Sequence, residues 1–178
     1  MQDRLSELRS KEQLTHEEML ELVRLSPAGT FKNGPNLLTL GIVDLGRFDA
    51  NFREGSKRSK KAFEAGCYME VISLRLQHME LYLRMFWVAR NKKGLIFEDN
   101  DKRTFGVILA DCKRIGLVPE LAERLGRFNK SRIDAIHRYL LGATDYEAMR
   151  DACTENKGLD SELREWVMNE IGIPWTVE

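Results

Sequence analysis

The sequence predicts an all-α protein, an up-and-down helical bundle behind an N-terminal extension that is part helical and part irregular. Three observations carry that expectation. A long segment from about residue 56 to 90 has two adjacent apolar stripes at helical spacing. A second amphipathic segment opens at Pro119 and closes at Leu141-Gly142. Between and after them stand helix start and stop signals, at Thr104, Gly116 and Thr144 to Glu147. With 178 residues and 43% hydrophobic content, the chain can bury a core as one domain, residues 56–178, with residues 1–55 appended.

Residues 3–25 alternate charges with Leu5, Leu8, Leu14, Met19, Leu22, Val23 and Leu25, which reads as a helix or helical pair closed by Ser26-Pro27. From Pro27 to Gly55 two prolines and five glycines break the pattern, so an irregular connection is expected, with a short strand possible over residues 37–43. The long helix follows. Cys67, Val71, Leu74, His78, Leu81, Met85 and Val88 form one stripe and Ile72, Leu76, Met79, Leu83 and Phe86 the next, so it is packed on more than one side. Glu70, Ser73, Gln77, Glu80 and Arg84 form a polar stripe that faces solvent or a cleft.

Asn91-Lys92-Lys93-Gly94 ends that helix with positive charge in the last turn and a glycine after it. A polar loop over residues 98–103 leads to Thr104, which can cap a helix running to about Ile115 and stopped by Gly116. Pro119 suits the first turn of the next helix, Thr144-Asp145-Tyr146-Glu147 reads as a capping box, and Asp160 or Ser161 opens a last helix through Glu170. The expected total is about five helices.

Composition excludes several classes. Twenty-eight basic and 28 acidic residues cancel, so any attraction to phosphate is local. No apolar run is long enough to span a bilayer, and the N-terminus lacks the apolar stretch of a signal peptide, so a cytoplasmic protein without a membrane partner is expected. Cys67, Cys112 and Cys153 are odd in number and widely spaced, against a disulfide framework or a paired-cysteine zinc site; all three read as buried or incidental thiols. Three scattered histidines suggest no metal site, and no glycine-rich phosphate loop is present, so no cofactor is expected.

The chemistry points to residues 128–139, Phe-Asn-Lys-Ser-Arg-Ile-Asp-Ala-Ile-His-Arg-Tyr. Arg132 can hold a phosphate with two donors, and His137, five positions on, can move a proton near neutral pH. Among 17 arginines and three histidines, about one such spacing arises by chance, and Arg9 with His16 also fits. Context separates them: His16 stands among Glu12, Glu17 and Glu18, whereas Arg124, Arg127, Lys130, Arg132 and Arg138 surround His137 with Asp134 as the one acid in that interval. His78 lies on an apolar stripe and reads as a core histidine. The run Lys57-Arg58-Ser59-Lys60-Lys61 reads as exposed surface. In a straight helix, residues five apart diverge by about 140° and about 7.5 Å. Arg132 and His137 therefore meet only through a local helix break or across two protomers.

The pattern resembles the HEPN superfamily, small helical bundles with an Arg, four to six residues and a His on a late helix. The resemblance covers roughly residues 63–141: the central helix, then Thr104 to Leu109, then Leu125, Phe128, Asn129, Arg132 and His137 in order. It implies a homodimeric, metal-independent ribonuclease, often a toxin or defence protein, with an antitoxin or other protein as a further partner. Arg132 would bind the scissile phosphate of RNA, and His137 would transfer a proton as the 2′-hydroxyl attacks. Asn129, Lys130, Asp134, Arg127 and Arg138 would orient the pair or attract the backbone, with Ser73, Gln77 and Glu80 as weaker candidates. Ile133 departs from the polar residue that often follows the arginine in such motifs. A non-catalytic module binding a protein or nucleotide is the alternative.

Overall fold

The fold was analysed in a computed structural model that describes residues 2–11, 18, 21, 45–91 and 102–171. Among the described residues all regular structure is helical: α1 (Gln2–Ser10), α2 (Leu45–Glu64), α3 (Tyr68–Asn91), α4 (Phe105–Arg114), α5 (Pro119–Leu140), α6 (Glu147–Glu155) and α7 (Leu159–Glu170). The all-α bundle is therefore as expected. The possible strand over residues 37–43, most of residues 12–25, and the Lys92-Lys93-Gly94 stop lie outside the described residues.

The segment read as one long helix is two. Gly66 adopts φ +74°, and the Cys67 amide donates to Ala62 O at 2.7 Å while that of Gly66 donates to Phe63 O at 3.1 Å. This paired closure through a left-handed glycine satisfies the last carbonyls of α2 and turns the chain into α3. Leu117 and Gly116 close α4 on Cys112 and Lys113 in the same way, and Ala143 and Gly142 close α5 on Arg138 and Tyr139.

The irregular connection expected up to Gly55 is, from Leu45 onward, already helix α2. Its glycine does not break the helix because it serves packing instead: a Cβ on Gly55 would lie 2.8 Å from His78 Nε2 on α3. Two boundaries also differ from expectation. The carboxylate of Asp145, not Thr144, accepts the Ala148 amide (3.2 Å) at the start of α6. Gly158, at φ +81°, precedes α7, which starts at Leu159.

The core is built around α3, which packs against α2, α4, α6 and α7, while α5 is held by α4, α6 and α7. Both apolar stripes of α3 are used: Val71, Ile72, Met79, Leu83, Met85, Phe86 and Val88 are buried. Phe86 meets Trp166 of α7 edge-on (centroids 4.9 Å), and Phe105 of α4 meets Phe128 of α5 (6.2 Å). Complete burial of such a side chain is worth about 1.5–3 kcal/mol, and Phe86, Phe105 and Phe128 each contribute on that scale. His78 is the core histidine the stripe implied, 4.8 Å from the Phe52 ring, with Nδ1 3.9 Å from Asp160 of α7. Burial pushes the Asp160 carboxyl up, but nearby His78 and Arg75 outweigh it and hold it below its ordinary value. Cys112 and Cys153 are buried as expected; Cys67 is exposed, because it stands in the turn rather than on α3.

Candidate functional site

Helix α5 is continuous from Pro119 to Leu140, so no break brings Arg132 and His137 together. Arg132 is half-buried; His137 is exposed. The Arg132 guanidinium donates through Nε and Nη2 to Asn129 Oδ1 at 3.1 and 2.9 Å, one turn back on the same helix. Nη1 makes no hydrogen bond with a described residue. Burial pulls the Arg132 pKa below its ordinary value, and Glu80 on α3 counteracts it. The guanidinium stays charged at any physiological pH.

Behind Arg132 lies a polar cluster that sequence reading did not assemble. Arg84, assigned to the polar stripe, is buried at 4% exposure rather than facing solvent. It donates to Glu80 Oε1 from Nε and Nη2 (3.0 and 2.8 Å) and from Nη2 to the carbonyl of Arg103 (2.9 Å). Arg103 in turn lies over the Trp87 ring at 4.1 Å and pairs with Asp111 at 3.4 Å. These bonds tie the start of α4 to α3. Glu80 thus pairs with Arg84 and also acts on Arg132, so two guanidiniums share this carboxylate. The legible part of this signal was the spacing of Glu80 and Arg84, four apart on one helix. The Arg103 carbonyl, which completes the burial of Arg84, carries no signal in sequence.

The remaining candidates divide. Asn129 and Arg132 are brought together. Lys130, Asp134, Arg127 and Arg138 are not: they line the groove between α5 and α6, in two adjoining cavities of about 310 and 600 Å³ that share Ser131, Asp134 and Glu155. The basic bias of this stretch is also partly neutralised. Arg124 pairs with Glu162 of α7 (2.5 Å) and Arg127 with Glu123. Lys130 and Arg138 make no ion pair with a described residue. Ser73 and Gln77 are exposed on α3, as a polar stripe should be.

His137 lies beside apolar surface. Ile133, Leu140 and Leu141 are exposed at 37, 69 and 81%, and Ile136 is half-buried between them. Ile133, Ile136 and Leu140 fall at helical spacing, a narrow apolar seam of the kind that pairs with another helix. Among the described residues no group of three His, Cys, Asp or Glu side chains could hold a metal ion, and no helix is long and apolar enough to cross a membrane. The chain matches no protein-family model, no curated protein and no solved structure.

Proposed function

We propose that the protein is a metal-independent endoribonuclease of HEPN type, a toxin or defence protein in biological role, acting as a homodimer whose Arg132 and His137 meet across the two-fold axis. The observation that carries the reading is Arg132 itself: half-buried, fixed by Asn129 on one edge, with Nη1 making no hydrogen bond to a described residue. A guanidinium held this way is ready for an anionic oxygen.

The continuous α5 leaves the second protomer as the way to complete the pair. In an antiparallel two-fold crossing centred midway between residues 132 and 137, Arg132 stands level with the partner's His137, across the width of the seam, and its long side chain bridges that width. The same crossing sets Ile133 against the partner's Ile136, and Leu140 against the partner's Asn129, covering the apolar seam. A symmetric contact of this kind makes two equal sites. In each, His137 takes the proton of the RNA 2′-hydroxyl as that oxygen attacks phosphorus. The 5′-oxygen leaves and takes a proton from water, and a 2′,3′-cyclic phosphate remains. Arg132 stabilises the charge that builds on the phosphoryl oxygens.

The test uses purified protein, RNA and chelator, comparing wild type with Arg132→Ala, His137→Ala and an equal mixture of the two after subunit exchange. Each single variant should be inactive. Random mixing makes half the dimers mixed, each with one intact site of two, so the mixture should recover about a quarter of wild-type activity. No cleavage by wild type, or equal cleavage by all, ends the nuclease reading; active wild type with no recovery on mixing ends the shared site.

A second reading, a non-catalytic module that binds a protein partner or nucleotide, is favoured by Ile133: an exposed apolar side chain stands beside the arginine where polar chemistry is wanted. On that reading the apolar seam docks a different chain, and both variants leave binding of that partner intact.

A further inference from the structure

The two basic runs exchange rank once their neighbours are known. On α5, Arg124 and Arg127 are paired with carboxylates. On α2, Lys57, Lys60 and Lys61 are exposed and make no ion pair with any described residue, while Arg58 is held by Glu54 at 3.0 Å. Lys57, Lys60 and Lys61 fall within one sector of the helix, opposite the side that buries Ser59 and Ala62. Glu54 feels Lys57 and Lys61 at longer range but is committed to Arg58, so the lysines stay free of close ion pairs with described residues and can hold phosphate.

From this end of α2 a line of rings crosses to α5. Phe63, one turn after Lys60, meets Tyr68 at 5.7 Å between centroids; Tyr68 meets Tyr146 at 5.4 Å; Tyr146 meets Tyr139 at 5.7 Å. The Tyr146 hydroxyl accepts the Met69 amide at 3.3 Å, which pins the middle of the line to α3. Tyr139, the last ring, is 39% exposed. It stands seven residues after Arg132, two turns along the same side of α5 and about 10 Å away. Lysines, a supported aromatic surface and the anion-ready arginine therefore follow one another.

We infer that this strip is a single-stranded RNA track: Lys57, Lys60 and Lys61 hold backbone phosphates, one base stacks on Tyr139, and the strand continues to Arg132. The inference rests on the ribonuclease reading for the choice of RNA, but binding is measured apart from cleavage. Phosphate contacts plus aromatic stacking is the sequence-tolerant way proteins hold single strands.

The experiment measures fluorescence anisotropy of a labelled 12-nucleotide single-stranded RNA with the full-length chain, using His137→Ala as the background so that the probe stays intact. Replacing Lys57, Lys60 and Lys61 by glutamine should weaken binding at least tenfold. It should also lower the slope of log affinity against log salt by about 2, since each single-strand phosphate contact contributes about 0.7. Tyr139→Leu should weaken binding roughly tenfold, and Tyr139→Phe should restore it, because the ring rather than the hydroxyl stacks. Arg124→Gln is the control expected to bind as the background does. Circular dichroism melting confirms that each variant is folded. Absence of RNA binding in the background protein, an unchanged salt slope in the triple variant, or equal affinity of Tyr139→Leu and Tyr139→Phe overturns the track. Lysine-dependent binding without cleavage by wild type keeps the track and removes the nuclease. Cleavage by a triple variant as efficient as that of wild type does the reverse.

Discussion

Replacing Gly55 by alanine puts a methyl group where α2 crosses α3. The added Cβ would lie 2.8 Å from His78 Nε2 and 3.3 Å from Cε1. The ring cannot simply swing aside, since Phe52 lies 4.8 Å from it on one side and Asp160 stands 3.9 Å from Nδ1 on the other. Alanine in a helix interior gains about 1 kcal/mol over glycine, while forcing an extra methyl into a packed contact costs about 1–3 kcal/mol. The balance is a loss of about 1 kcal/mol. Gly126 supplies the comparison: it lies within α5, and a Cβ there meets nothing within 4 Å. Gly126→Ala should therefore stabilise by about 0.5–1 kcal/mol. With a urea slope of about 2 kcal/mol/M, the two midpoints should move in opposite directions, down by about 0.5 M for Gly55→Ala and up by about 0.3–0.5 M for Gly126→Ala. If both variants rise together, Gly55 is not a packing residue and the α2–α3 crossing is not as described.

Three further outcomes follow from buried polar groups. Arg84→Ala breaks the pair with Glu80 and removes a donor from the Arg103 carbonyl, and should cost about 3 kcal/mol in urea denaturation, with Arg84→Met costing less because the stem still packs. Asp160 is held below its ordinary value, so the unfolded chain binds its proton more tightly. The stability it confers at neutral pH is lost as pH falls through the ordinary carboxylate range towards the lower folded value. Asp160→Asn should flatten that part of the stability curve, and an unchanged acid slope refutes the assignment. Burial pushes the Cys112 thiol up to about 12 and Cys153 up to about 11. A thiol reagent at pH 8 should label one group per native chain, Cys67, and all three after denaturation; fast labelling of Cys112 would contradict its burial.

Where the signal was local, the fold could be read from sequence. Pro119, Gly116 and Gly142 mark the ends they were expected to mark, because each acts through backbone geometry within a few residues. Gly66 carried the same signal, but the apolar spacing on both sides of it masked the break. Gly55 misled for the opposite reason: its role depends on His78, on another helix, and a tertiary contact leaves no local mark. The site divides along the same line. The Asn129 and Arg132 contact spans one turn, so it was available at three-residue spacing. The neutralisation of Arg127 by Glu123 was available at four-residue spacing, whereas that of Arg124 needs Glu162, far along the chain on α7. The burial of Arg84 needs the Arg103 carbonyl, and no pattern of side chains announces a backbone partner.

The central position of α3 has a consequence for how the chain is made. Helix α3 leaves the ribosome before α4, α6 and α7, the three helices that cover most of its apolar surface. At about 5–20 residues per second, the stretch from its end to the end of α7, about 80 residues, takes roughly 4–16 s to synthesise. For that interval the helix that carries Leu83, Phe86 and Val88 has α2 and the segment before it, Leu8 of α1 included, as its shelter. The nascent chain therefore carries its central apolar helix partly uncovered at mid-synthesis, the stage at which aggregation or chaperone capture is favoured.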